Sequence, residues 1–413
     1  MAGSEYEVVI VGGGAAGVAA AHRLHAAGVD CLLVEARSRL GGRAFTDTVT
    51  GFPLDLGCGW LHSADRNPWA EIARAQGRTI DKTPPPWSGR RSLNIKFPPE
   101  EQKAYRAAMA AFFERVSAAA KRPDRPAAEL LTPGDRWNGL IRAVATYISG
   151  AELERVSTHD LENYDDTQEN WRVVEGYGTT VAAHAANAPV KLNCPVRAID
   201  HSGKRVAVDT AQGTLSAERV IVTLPSTVLG EETVRFFPAL PDKVEAARGL
   251  PLGLADKLFL ALDRAEEFES ESRLFGHTDR SATATYHFRP FGRPLIEVYF
   301  GGDHAWHLEQ GGEKAFFDFA ASELADLLGR DFVKRIKPAQ MHLWGSDPFA
   351  RGSYSSALPG QAGCRPALAA PVDNRLFFAG EATSVHDYST AHGAYNTGLR
   401  AADEMLAARA RKK

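Results

Sequence analysis

The segment Gly12-Gly13-Gly14-Ala15-Ala16-Gly17 holds the first residues whose spacing does recognisable chemistry, a GxGxxG closed further on by the acid Glu35. Gly12 permits a tight turn, Gly14 lets main chain approach a pyrophosphate, and Gly17 lets a helix lie close to a strand. Free N–H groups at Ala15 and Ala16, in the first turn of that helix, face the phosphates. Glu35 accepts hydrogen bonds from a ribose diol and repels a 2′-phosphate, so FAD or NAD fits better than NADP. The loop itself does not choose between these two.

The flanking elements suit that task. Tyr6–Val11 is apolar and β-branched like a buried parallel strand, Ala15–Ala27 is an Ala-rich helix with Gly28 as its C′ residue, and Asp30–Glu35 forms a second strand. Ala36 and Arg37 follow at the strand end, and Gly41-Gly42-Arg43 supplies flexible main chain and a guanidinium for phosphates. Phe52 to His62 holds Asp55, Gly57, Cys58, Gly59 and Trp60 on a short segment expected to be buried. Helical spacing over Pro99–Arg122, around Asp135–Ser149 and over Ala151–Val156 suggests a helical insertion, with Tyr105, Met109, Phe112, Phe113 and Val116 as packing positions. Strands are expected at Val196–Asp200, Val206–Thr210 and Arg219–Thr223, returning to the first sheet. From Val234 to about Gly302 an antiparallel pattern follows, clearest at Lys257–Leu262 and Leu295–Phe300. Helices are expected over Gly312–Leu328 and from about Ala391 to Ala408, with a buried strand at Arg375–Glu381 between them. The fold class is α/β: a discontinuous Rossmann-like dinucleotide domain (1–65, 172–233, 340–413) and an α+β substrate domain with a mixed sheet (66–171, 234–339).

With 413 residues the chain can bury two or three cores. Its net charge of −3 is scattered, which argues against a nucleic-acid partner, and the cluster Arg409–Lys413 reads as a solvated tail. The four cysteines are far apart, so neither a disulfide framework nor a metal site is expected, as suits a reducing cytoplasm. The first strand starts within a few residues of Met1, leaving no room for a signal peptide, and no apolar run approaches a membrane span.

These motifs together resemble the flavin-containing amine oxidases: monoamine oxidases, polyamine oxidases and lysine-specific histone demethylases. The resemblance rests on Gly12–Gly17 with Glu35, Leu40–Arg43, Asp55–Gly57, Thr223-Leu224-Pro225, Phe377–Thr383, Ala391–Ala394 and Gly398–Arg400, and runs from end to end of a compact, bacterial-type chain. It implies FAD rather than NAD, in a GR2-type domain. It places Gly380, Glu381 and the N–H of Ala391 along the flavin half of the cofactor, the main chain of Val196 at the adenine, and Thr223, Pro225 and Trp344 in the same site. Lys257 matches the lysine that holds a water at flavin N5 and aids electron transfer to O2. Tyr354 matches one wall of the aromatic cage that orients the amine, and Thr390 stands at the other wall, as in the demethylases. Ser353 stands where monoamine oxidases tether the flavin through cysteine, so FAD is expected to be non-covalent.

The implied reaction is oxidation of an amine: hydride passes to N5, the imine hydrolyses, and O2 is reduced to hydrogen peroxide. Partners reduce to a small-molecule amine and O2, with the protein a monomer or homodimer and no membrane involved. Asp165, Asp166, Glu169 and Glu175 are candidates for attracting a cationic substrate at the entrance, against the alternative of a solvated loop, and Trp60 and His62 for lining the cavity. Two other activities share the cofactor domain: carotenoid-desaturase or protoporphyrinogen-oxidase chemistry on C–C bonds, and a non-catalytic flavin-binding interaction protein.

Overall fold

A computed structural model describes residues 5–185 and 187–411; Lys412 and Lys413 of the basic tail lie outside the described residues. The first sheet is eight-stranded. It begins with β1 (Glu5–Val11), β2 (Cys31–Val34), β3 (Val190–Lys191), β4 (Val196–Asp200), β5 (Val206–Thr210), β6 (Gly213–Val222) and β7 (Arg235–Phe237), laid side by side as β7-β4-β5-β6-β1-β2-β3. A second sheet of five strands comprises β8 (Ala255–Leu262), β9 (Ser272–Phe275), β10 (Thr285–Phe288), β11 (Leu295–Gly301) and β12 (Ile336–Met341), antiparallel in the order β9-β10-β11-β8-β12. The chain then returns to the first sheet, where β13 (Leu376–Phe378) pairs parallel with the end of β6.

Helices follow the same logic. α1 (Ala15–Ala26), α2 (Pro68–Ala75), α3 (Pro99–Ala119), α4 (Asn138–Ser149), α5 (Thr158–Asn163), α6 (Gly312–Leu328) and α7 (Ala391–Ala410) are the ones that shape the site. β1 is sealed on both faces, with Val8, Val9 and Ile10 solvent-free, as a central parallel strand requires. The small residues of α1 let α7 come close, and a Cβ on Gly398 would sit 2.2 Å from the Ala16 carbonyl oxygen. The two ends of the chain therefore meet beside the glycine loop. In β8 the alternation sends Leu258, Leu260 and Leu262 into a core with Phe316, Ala320 and Leu324 of α6. Each such fully buried leucine contributes about 1.5–3 kcal/mol. Lys257 points to the other face.

Four expectations need correction. Ala151–Val156 is not an α-helix: Gly150 ends α4 in the left-handed region at φ 68°, and only a 3-10 turn at Leu153–Arg155 follows. The stretch from Val234 is not uniformly stranded, because Pro241–Arg248 is helical. α2 is not part of a separate insertion, since Trp69, Ala70 and Ala73 join the core of the first sheet with α1. Of the apolar stripe on α3, Tyr105, Phe112 and Val116 are buried with Phe97, Trp137 and Ile141, whereas Phe113 turns to the cavity described next.

Candidate active site

Residues from both sheets line one cavity of about 1150 Å³. At one end the turn from β1 to α1 leaves Gly12 at φ +104°, where a Cβ would meet Thr223 Oγ1 at 2.7 Å. Gly12, Gly14, Ala15 and Ala16 line the cavity. Gly17 does not; a Cβ there would fall 1.8 Å from the Gly12 carbonyl oxygen, so its smallness serves helix-on-strand packing. Gly42 lies across from Gly14, and a Cβ on Gly42 would come within 3.0 Å of the Gly14 Cα. No side chain caps the start of α1 and no acid occupies its first turn, so its N–H donors are left for a diphosphate. Glu35 accepts from Gly13 N at 2.7 Å and Arg37 N at 2.8 Å, while the Arg37 guanidinium pairs with Asp347 at 2.6 Å. Ala36, Val196, Thr223 and Pro225 complete this end.

At the other end Arg43 donates to the Ser353 carbonyl oxygen at 2.6 Å and to Glu381 at 3.0 Å. Glu381 also accepts from Ser355 Oγ at 2.6 Å and Ser389 N at 3.0 Å. Burial alone pushes its carboxyl up, and Arg43 with these donors outweighs that and holds it below its usual value. Arg43 therefore lines this end of the cavity with part of its charge already matched. Thr390 caps α7 by accepting from Gly393 N at 2.9 Å, so Ala391 presents an N–H donor of a helix start to the cavity. Gly380, Gly57, Cys58, Gly59, Trp60 and Trp344 also line it. Gly57 has no space for a side chain: a Cβ would lie 1.8 Å from the Arg43 carbonyl oxygen and 3.0 Å from the Trp344 ring.

Lys257 is buried and faces this second end. Its Nζ donates to the Asp55 carbonyl oxygen at 3.0 Å and pairs with Glu297 at 3.6 Å. Burial pulls the ammonium down, but Glu297, Tyr299 and Asp55 outweigh it and hold the group above its ordinary value. It is a fixed positive charge and not a base at neutral pH. The Asp55 carboxylate accepts from Thr46 Oγ1 at 2.5 Å and from Tyr177 N at 3.0 Å, which pins the Gly57–Gly59 turn under the lysine. Tyr354 lines the cavity, donates to the Tyr147 carbonyl oxygen, and lies 3.3 Å from Tyr299 Oη. Thr390 lines it as well, its hydroxyl spent on capping.

Trp60 and His62 line the cavity, with His62 Nδ1 2.6 Å from Asn170 Oδ1. Burial, first among several influences, lowers the imidazole's affinity for a proton. The expected acidic cluster is dispersed. Asp166 reaches the cavity, while Asp165 pairs with Arg66 at 3.3 Å and Glu175 accepts from Thr79 N at 2.9 Å; Glu169 is exposed and does not line the cavity. Glu162 joins Asp166 instead. Glu297, Tyr299, Tyr147 and Arg273 are further lining residues that no motif marks. The available signal is strand alternation, since Tyr299 is paired across from Lys257 and shares its face.

A Rossmann-type sheet with an uncapped helix start, joined through one cavity to a buried ammonium on an antiparallel sheet, defines a dinucleotide-dependent oxidoreductase of the flavin type. A model of the family described as flavin containing amine oxidoreductase matches residues 15–406, and the chain belongs to that family. It is thus an FAD-dependent amine oxidoreductase. The chain is 30% identical over 439 residues to Polyamine oxidase 4 of Oryza sativa subsp. japonica, covering 96% of this chain and 88% of that one. It is 25% identical to Lysine-specific histone demethylase 2 of Homo sapiens, over 97% of this chain and 53% of that protein. A solved structure of a putrescine oxidase double mutant has the same fold, with a TM-score of 0.78 at 19% identity over 98% of this chain and 99% of that one.

Proposed function

We propose that the chain oxidises the C–N bond of a small amine to an imine at the Lys257 end of the cavity, with O2 as the final electron acceptor. When bound, FAD supplies a two-electron acceptor at N5 for the hydride on the carbon beside nitrogen; O2 then takes these electrons as hydrogen peroxide, and the imine hydrolyses. Gly12, Gly14 and the start of α1 hold the diphosphate, Glu35 the ribose, and Arg43, Glu381 and Ala391 the flavin half. Lys257 holds a water and a positive charge where electrons pass to O2. Tyr354 and Thr390 orient the amine, one as an aromatic wall and the other leaving space for a bulky substituent.

The observation that carries this proposal is the burial of Lys257, its ammonium held between the Asp55 carbonyl oxygen and Glu297, in the same cavity as the glycine loop. FAD is held without a covalent bond. Ser353 Oγ is committed on both sides to Ala255, accepting from its N at 2.8 Å and donating to its O at 2.7 Å. Burial, reinforced by Asp55, pushes the Cys58 thiol up to about 12, so it offers no thiolate for a tether. A cytoplasmic setting is supported by the free cysteines Cys31, Cys58, Cys194 and Cys364. Among the described residues no helix is long and apolar enough to cross a membrane. Lys257→Met tests the role of the ammonium: reoxidation of the reduced enzyme by O2 should slow by about 10-fold or more, as loss of one preorganised charge implies. An unchanged rate would remove that role.

A further inference from the structure

Across the cavity face of the second sheet, strand register sets Lys257, Tyr299, Thr285 and Phe275 in one row and Phe259, Glu297, His287 and Arg273 in the next. In these rows Lys257 pairs with Glu297 at 3.6 Å, and His287 Nε2 lies 2.8 Å from a Glu271 carboxylate oxygen. Arg273 is different. Its Nε donates to Thr285 Oγ1 at 2.9 Å and its guanidinium lies 3.9 Å from the centre of the Phe275 ring, but among the described residues no carboxylate pairs with it. The titratable groups that influence it are the phenols of Tyr105 and Tyr147, which burial keeps neutral. A guanidinium does not escape this environment by losing its proton. Arg273 is half-buried and lines the proposed substrate cavity, so a ligand that displaced water from it without supplying a counter-ion would strand its charge.

We propose that Arg273 is an anion subsite of this cavity, and that the amine oxidised here carries a carboxylate several bonds from the carbon that loses hydride. The proposal rests on the amine-oxidation assignment and names its substrate class. Thr285, which anchors the guanidinium, is two strands from Lys257 through Tyr299, a gap of about 10 Å. An α-amino acid has its carboxylate on the oxidised carbon and cannot reach both ends. An extended chain advances about 1.2 Å per bond, so one of about five carbons bridges the gap once contact distances at each end are subtracted. The wall between the ends suits methylenes: Tyr147 and Tyr299 meet edge to face at 5.8 Å, and Tyr299 adjoins Tyr354. The guanidinium fork can take both oxygens of a carboxylate. A diamine stretched the same way would bring its second ammonium against Arg273.

Hexanoate, which has the anion and no amine, tests the subsite by calorimetric titration into FAD-loaded enzyme. Saturable binding is expected, weakened about 10-fold to 100-fold by Arg273→Gln, the range for one charged hydrogen-bonded contact. Arg273→Met, close in volume, replaces the glutamine variant if that one does not retain FAD. In turnover, kcat/KM for 6-aminohexanoate should exceed that for hexylamine by about 10-fold or more, and the ratio should collapse in the same variants. Hexanoate affinity that is absent, or equal with and without Arg273, overturns the subsite, as does preference for hexylamine or 1,6-diaminohexane over 6-aminohexanoate. Arg273-dependent hexanoate binding in an enzyme that oxidises no amine would sustain the subsite and sink the amine-oxidation assignment.

Discussion

Asp160→Asn removes one charge from the most deeply buried ion pair among the described residues without changing side-chain shape. Arg365 grips Asp160 through Nε–Oδ1 at 2.6 Å and Nη2–Oδ2 at 2.7 Å, with the side chains 0% and 1% exposed. The same guanidinium donates to Ser355 Oγ at 3.1 Å and the Ala382 carbonyl oxygen at 3.2 Å, and stacks 3.7 Å from the centre of the Tyr388 ring. Ser355 is a donor to Glu381, so the pair braces the flavin end of the cavity. In the variant the Arg365 charge stays buried with its countercharge gone, and breaking such a pair from one side costs about 3–5 kcal/mol. Guanidinium chloride unfolding of the FAD-loaded enzyme measures this directly. The double variant Asp160→Asn with Arg365→Met removes the stranded charge, and the asparagine oxygen can still accept from Ala357 N, which the aspartate binds at 2.8 Å. It should recover about 2 kcal/mol relative to Asp160→Asn alone. A single-variant loss below about 1 kcal/mol, or losses that simply add in the double variant, would refute this account of the pair.

Two further outcomes are expected. Burial, and then His22 stacked 4.2 Å away, lower the His184 imidazole to about 4, so the folded protein refuses a proton that the unfolded chain accepts at its ordinary value near 6.5. Stability present above pH 6.5 is therefore lost progressively as pH falls to about 4, and urea unfolding at pH 7.5 and pH 5 should show a slope that His184→Gln reduces. Thr390→Ala deletes the cap on α7 at Gly393 N and should cost about 1 kcal/mol, read as a lower melting temperature of the FAD-loaded enzyme; an unaltered melt would mean that the cap is replaced by another donor-acceptor pair.

How far the fold could be read from residues depended on whether a segment carries its own signal. β4, β5 and α6 begin and end where alternation and helical spacing place them, and β5 and α6 bury one face along their length. α5 has six residues and too little period to register, and its cap Ser157, which accepts from Asp160 N at 3.0 Å, is the only mark it leaves. α2 looks like the start of an insertion until Trp69 is seen packed beneath α1 and Tyr177, a contact between distant segments. The site divides in the same way. Gly12, Glu35 and Arg43 belong to local motifs, since a phosphate and a ribose demand fixed backbone shapes. Arg273, Glu297 and Tyr299 stand on ordinary strands, and only the register of β8, β9, β10 and β11 brings them to one face. Of the four acids only Asp166 lines the cavity, because Asp165 and Glu175 satisfy local donors, Arg66 and Thr79, which no spacing announces.

Anaerobic mixing of the FAD-loaded enzyme with a panel of amines, followed by absorbance of the bound flavin, tests the central claim most directly. At least one amine should bleach the flavin, and admission of O2 should restore the colour with release of hydrogen peroxide. A flavin left oxidised by every amine and reduced by a polyene would contradict it.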